Sequence, residues 1–162
     1  MKRWFLGLDS STQSISAIVV DIDNGALVAD VGVDFSELPA YGCVQGFLAH
    51  PDPLVRHADP LVWLAGLELL FERLRETGVD LGNLVAISGS GQQHGTVYLN
   101  DRFLDASTWD AGDGLVAMVR PMLSRPTSPI WMDSSTSASC AQITAAAGGA
   151  AYVQRVTGSP AI

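Results

Sequence analysis

The stretch "WFLGLDSSTQSISAIVVD", residues 4–21, decides how this chain folds. "WFLGLD" (4–9) is a short apolar run ending in a carboxylate, and "SISAIVVD" (14–21) is a second run ending the same way. Two strands therefore flank a tight polar turn made of Ser10, Ser11, Thr12, Gln13 and Ser14. "ALVADVGVDF" (26–35) alternates apolar and polar residues and reads as a third strand. Between the second and third lies Asn24-Gly25, a hairpin signal because both residues tolerate positive φ, so those two strands are expected to pair antiparallel.

Working outward, residues 36–58 carry Pro39, Pro51 and Pro53 with Gly42 and Gly46 and keep no period, which predicts an irregular excursion with His50 and His57 as solvated loop residues. Asp59 and Pro60 open a helix as capping carboxylate and first-turn proline. Its apolar positions are read as Leu61, Leu64, Leu67, Phe71 and Leu74, and Gly78 ends it. "NLVAIS" (83–88) is a continuous apolar run, expected to be a strand buried on both faces. "TVYLNDRFLD" (96–105) reads as a hairpin around Asn100-Asp101, and residues 106–128 receive no role beyond a short helix over "LVAMVRPML". "SPIWMD" (128–133) predicts a short strand ending in Asp133, after which Ser134, Ser135 or Thr136 caps the Ala-rich helix "SASCAQITAAAGG". Thr157-Gly158-Ser159-Pro160 has the composition of a turn leading onward, so the chain is expected to be a piece of a longer protein. Strands, a helix and further strands imply an α/β fold.

Composition narrows the function classes. With 162 residues, 48% hydrophobic and 16% charged, the chain can bury a core of single-domain size. Nine Lys and Arg against 17 Asp and Glu give a net charge of −8 with no basic patch, which argues against a nucleic-acid partner. No run of eighteen apolar residues occurs, and Asp9 comes too early for a signal-peptide core, so the reading is a soluble, cytoplasmic protein with no membrane partner. The two cysteines, Cys43 and Cys140, lie far apart without metal-ligand spacing and read as small buried hydrophobes.

Three polar clusters follow apolar runs. Asp9 beside a turn rich in N–H and hydroxyl donors suits a metal and phosphate site, because Mg²⁺ takes carboxylate oxygen and keeps waters while bridging phosphates. A strand ending in an ordinary β-turn has the same residues. "GSGQQHG" (89–95) offers glycines for close approach, the amides of Gln92 and Gln93, and an imidazole, His94, that donates from one nitrogen and accepts at the other. That inventory matches a polyhydroxylated ligand, and equally a structural polar turn. Asp133 in "WMDSS" could bind vicinal hydroxyls or cap a helix. Together the clusters place a site at the carboxyl ends of strands in an open α/β sheet without naming a reaction.

Read in order, "FLGLDSSTQSISAIVVD", "GSGQQHG" and "PIWMDSST" resemble the N-terminal part of carbohydrate kinases of the FGGY family. "HADPLVWLAGLELLFERL" stands where that family places its first helix, and "YVQRVTGSPAI" resembles its Arg-x-Thr-Gly-Asn stretch. The resemblance implies a ribonuclease-H-like fold of the actin and hexokinase type, a mixed sheet with helices. Residues 1–162 would be the N-terminal part of the first domain, with the second domain absent. It implies ATP and Mg²⁺ as cofactors and a ketose as substrate, D-xylulose first, giving D-xylulose 5-phosphate. Other pentuloses or polyols, a non-kinase ATPase and a sugar-binding module of the same fold are the alternatives. By motif, Asp9 would lie near the metal, through water, and the phosphates, with Ser11, Thr12 and Gln13 in the phosphate turn, while Gln93, His94, Asp133 and Arg155 would face the sugar. Ser11 stands where many members have glycine, and Ser159 where asparagine usually follows Thr157-Gly158. The general-base aspartate of the family would lie beyond position 162, so this chain alone is expected to be inactive, with the C-terminal domain of the same polypeptide as its partner and a homodimer left open.

Overall fold

Alternation along β1 (Trp4–Ser10) sends Trp4 and Leu6 to a covered face, 5% and 1% exposed, and Phe5 to an open one, 42% exposed. The computed structural model, which describes residues 2–110 and 112–159, pairs β1 antiparallel with β2 (Ser14–Asp21) from Trp4 opposite Asp21 to Ser10 opposite Ile15. β3 (Leu27–Asp34) follows antiparallel through Asn24-Gly25, where Gly25 takes φ 72° and the Asn24 side chain accepts the Ala26 N–H at 2.8 Å. β5 (Leu84–Gly91) adds parallel to the other side of β1, giving the order β3-β2-β1-β5, the mixed sheet expected.

The helix α1 (Leu61–Glu76) begins as its sequence indicates: the Asp59 carboxylate accepts the Leu61 N–H at 2.9 Å. It ends in a Schellman turn, with Gly78 at φ 84° and the Val79 N–H reaching the Leu74 carbonyl. The buried stripe is Leu61, Val62, Ala65, Gly66, Leu70 and Leu74, rotated from the expected Leu64, Leu67 and Phe71, which are only half-buried. The reason is close approach: a Cβ on Gly66 would stand 2.8 Å from the Phe35 ring and 3.2 Å from Ile15, so small residues rather than leucines face the sheet. α1 packs over β2 and β3, closing a core of Leu6, Ile15, Val19, Val33, Phe35, Val62, Leu70 and Leu74.

Several expectations fail for identifiable reasons. β5 is exposed from Val85 to Gly91 instead of buried on both faces, because α1 covers only the β2–β3 end of the sheet. No hairpin forms over 96–105. The Asn100 side chain accepts the Arg102 N–H at 3.0 Å and winds 101–104 into a 3₁₀ turn, and Tyr98 and Asn100 bond with Ser124 and Met122 instead. The short helix near residue 115 is present as α2 (Leu115–Val119), held where the Leu115 N–H meets the Glu68 carboxylate at 2.5 Å. The strand expected over 128–133 is only β6 (Ser128–Pro129), paired with β4 (His57–Ala58) in a separate two-stranded sheet. Beyond it the Asp133 N–H bonds the Ile130 carbonyl and turns the chain.

His57 is not a solvated loop residue, since it bridges Thr127 and Asp133. None of Ser134, Ser135 and Thr136 caps α3 (Ser137–Ala146) with its side chain; the Ser135 hydroxyl donates to Asp133 instead. Cys43 is buried, whereas Cys140 is only partly so. α3 and α4 (Ala150–Thr157) bury no residue fully. The turn after α4 is described as far as Ser159, with Gly158 at φ 75°; the expected Pro160 lies outside the described residues. Among the described residues no helix is long and apolar enough to cross a membrane.

Candidate active site

β1 delivers Asp9 to its carboxyl end, and β5, running parallel beside it, delivers Gly91 to the same end; Asp9 and Ser90 are direct register partners. That pairing is why two sequence-distant polar clusters meet. The Ser90 hydroxyl donates to the exposed Asp9 carboxylate, and the Gln92 N–H bonds the Ser10 carbonyl at 2.8 Å, extending the ladder past the strand end. A cleft of about 470 Å³ opens here, lined by Asp9, Ser11, Thr12, Gln92, Gln93, His94 and Trp131.

The β1–β2 turn is tighter and offers fewer donors than its sequence suggests. The Ser11 N–H bonds the Ser14 carbonyl at 2.9 Å, and the Ser11 hydroxyl turns to the same carbonyl at 3.2 Å. Thr12 remains the outward hydroxyl: it accepts the Trp131 indole N–H at 2.9 Å and lies 3.4 Å from the Gln92 amide oxygen. Gln13 points away from this cleft and lines an adjacent hollow of about 630 Å³ with Gln45, Phe47 and Met132.

His94 is the one non-glycine residue with positive φ, 59°, among those described. That conformation costs a side-chain-bearing residue about 1–3 kcal/mol unless its surroundings impose it, and such residues cluster at functional sites. His94 lies between the cleft and a third hollow of about 540 Å³ that reaches Asp133 and Thr136.

Asp133 itself is turned inward, its side chain 6% exposed. It accepts the Arg56 N–H at 2.8 Å and the Ser135 hydroxyl at 2.7 Å, and His57 Nε2 stands 3.3 Å away. Burial pushes this carboxyl up, but the N–H and hydroxyl donors and His57 outweigh it and hold it below the usual carboxylate range. Arg155 is on α4, stacked on Tyr152 at 5.3 Å, and lines none of the three hollows. The structure thus brings together Asp9, Ser11, Thr12, Gln93 and His94, puts Gln13 and Asp133 in neighbouring hollows, and leaves Arg155 apart. The sequence offered Gln92 only as one amide of the glycine-rich turn, and it gave Ser90, His57 and Trp131 no role at the site. Among the described residues no three of His, Cys, Asp and Glu gather as a metal set, and Asp9 is the one carboxylate that lines the cleft.

No protein-family model matches the chain. It is 37% identical over 99% of its length to the xylulose kinase of Rattus norvegicus, spanning 30% of that protein. It is 36% identical over 97% of its length to xylulose kinase 2 of Arabidopsis thaliana, spanning 28%. The crystal structure of xylulose kinase from Rhodospirillum rubrum superposes with a TM-score of 0.63 at 21% identity, over 93% of this chain and 25% of that one. The mixed sheet is the fold that this sugar-kinase structure shares, and the chain is similar to xylulose kinases over nearly its whole length while spanning about 30% of theirs.

Proposed function

We propose that the full polypeptide carrying this chain transfers the γ-phosphoryl group of ATP to a ketose hydroxyl in the cytoplasm, with D-xylulose as the first candidate and D-xylulose 5-phosphate as product. The observation that carries this reading is the single cleft that joins the β1–β2 turn to the Gln92–His94 turn. One wall has the carboxylate and hydroxyls suited to a phosphate chain and its cation. The other has two amides and an imidazole, which donate and accept in the mixture that polyol hydroxyls require.

Asp9 would hold Mg²⁺ through water, and the ion bound there supplies charge neutralisation on the phosphates. Ser11, Thr12 and Gln13 form the turn on the phosphate side, and Gln93 and His94 bind and orient the ketose. Asp133 supports the sugar side from its neighbouring hollow, and Arg155 joins it once α4 closes on the cleft. The ketose hydroxyl oxygen forms the new bond to phosphorus as the bond to the ADP oxygen breaks. The hydroxyl proton is given to a carboxylate outside this chain, in the second domain of the same polypeptide, so residues 1–162 form part of the first domain and are inactive alone.

The test is ADP release by the full polypeptide with D-xylulose, D-ribulose and glycerol, beside a His94→Ala variant. Ketose-dependent release is expected, with kcat/KM for ketose falling about a hundredfold in the variant while the KM for ATP stays within twofold, since a lost polar contact in a polyol site leaves its partners unpaired. No release with any acceptor refutes the kinase reading, and a variant that loses ATP affinity with unchanged ketose kinetics refutes the role of His94.

A further inference from the structure

We infer that Trp131 is a positioning residue for phosphoryl transfer, pinned through its indole N–H to the Thr12 hydroxyl so that the acceptor side of the site keeps a fixed separation from the phosphate turn. The inference rests on the kinase reading above. Trp131 is 56% exposed, so burial does not dictate where its ring goes; the 2.9 Å bond to Thr12 does. A threonine hydroxyl has one proton and two acceptor lone pairs, so Thr12 accepts from Trp131 and donates onward to Gln92 at 3.4 Å. Each bond of such a chain polarises the next.

The chain ties three segments that are remote in sequence: the β1–β2 turn, the run out of β5 and the turn after β6. Thr12 is in turn braced from behind. Gly46, at φ 84°, lies so near that a Cβ there would stand 2.7 Å from Thr12 Cγ2 and closer still to its carbonyl oxygen. A fixed point therefore exists against which the indole can be held. Trp131 also lines all three hollows, so its ring is the partition between the Asp9 cleft, the Gln13 hollow and the Asp133 hollow. Releasing it would let the β6 turn drift relative to Asp9. Phosphoryl transfer is sensitive to displacements of about 1 Å, so the loss should fall on kcat.

The test uses the full polypeptide with ¹⁵N-labelled tryptophan. The Trp131 indole resonance, identified by its disappearance in Trp131→Phe, is expected to shift in Thr12→Val and to return in Thr12→Ser. In kinetics, Trp131→Phe keeps an aromatic ring, though a smaller one, and loses the indole donor; kcat is expected to fall about tenfold with the KM for ATP unchanged, the loss of roughly one well-made hydrogen bond. The double variant Trp131→Phe with Thr12→Val should be no slower than the slower single variant. A resonance indifferent to Thr12→Val, a Trp131→Phe variant as fast as the parent, or losses that multiply in the double variant would each overturn the inference. If the parent polypeptide releases no ADP with any ketose, the kinase reading fails separately, and the pin then stands or falls on the resonance alone.

Discussion

The two ends of the main sheet have equally apolar strands and opposite surroundings. At the β2–β3 end Val19 and Val33 are 0% and 1% exposed beneath α1, while at the β5 end Val85 and Ile87 are 55% and 58% exposed where α1 does not reach. Hydropathy makes a residue buriable; only a partner surface buries it, and the stabilisation of about 25 cal/mol per Å² accrues only where that partner exists. α3 and α4 bury no residue fully and so share the sparse packing of the β5 end. The cleft lies on the seam, taking Asp9, Ser11 and Thr12 from the packed side and Gln92, Gln93, His94 and Trp131 from the open one.

The strongest way to break this comparison is a pair of truncations. Phe35→Ala removes a ring that is 0% exposed and faces Gly66, and should destabilise the chain by about 3–5 kcal/mol. Ile87→Ala removes a side chain of similar hydrophobicity from the open end and should cost less than about 1 kcal/mol. Chemical denaturation of the 162-residue chain measures both; equal losses would mean that the two ends are packed alike.

A second test sharpens where the packed region stops. Gly46→Ala adds a methyl group at φ 84° directly against Thr12, and should cost about 1–3 kcal/mol through strain and displacement of the loop over the phosphate turn. Gly25→Ala, also at positive φ but with nothing within 4 Å of the added carbon, isolates the conformational part and should cost about 1 kcal/mol. A Gly46 variant no worse than the Gly25 variant would place the phosphate turn outside the packed region.

The same division separates what was legible in sequence from what was not. Strand alternation and the Asn24-Gly25 turn are local rules, and β1, β2 and β3 obey them with bounds within one residue of those read. Asp59 and Gly78 likewise mark both ends of α1. The face of α1 was misread because leucines drew the stripe, whereas the contact with Phe35 needs Gly66. The exposure of β5 depends on what covers it, which no periodicity within the strand records. In the site, Asp9 and His94 were found by their place at strand ends. The Trp131 to Thr12 bond, and the capture of Asp133 by Arg56 and His57, join residues far apart in sequence and leave no local trace.

Asp133 provides a smaller test, through acid. Its carboxyl is held below its ordinary value in the folded chain, so the stability it contributes is present above the unfolded value of about 3.9 and is lost as pH falls through the folded one. Asp133→Asn should therefore be less stable than the parent at pH 6, with the gap narrowing as pH falls from there toward 3. The other depressed carboxylates, Asp34 and Glu37 among them, titrate in both proteins and cancel from the difference. A gap that is constant across that range would show that the contacts of Asp133 do not depend on its charge.

Arg155 supplies the smallest expected stability change and bears on the open end alone. Its guanidinium is stacked on Tyr152 at 5.3 Å on an exposed helix, an arrangement worth at most about 0.5–1 kcal/mol, so Arg155→Ala should leave the denaturation midpoint of the chain nearly unchanged. In the full polypeptide the same substitution should raise the KM for ketose several-fold, as the proposed sugar-side role requires. A loss of ketose affinity without a loss of stability would mean that α4 moves onto the cleft during binding. The open end would then be a movable wall of the site, with few buried contacts to break when it closes. Unchanged ketose kinetics would instead confine sugar recognition to the seam, to Gln93, His94 and the residues that hold them.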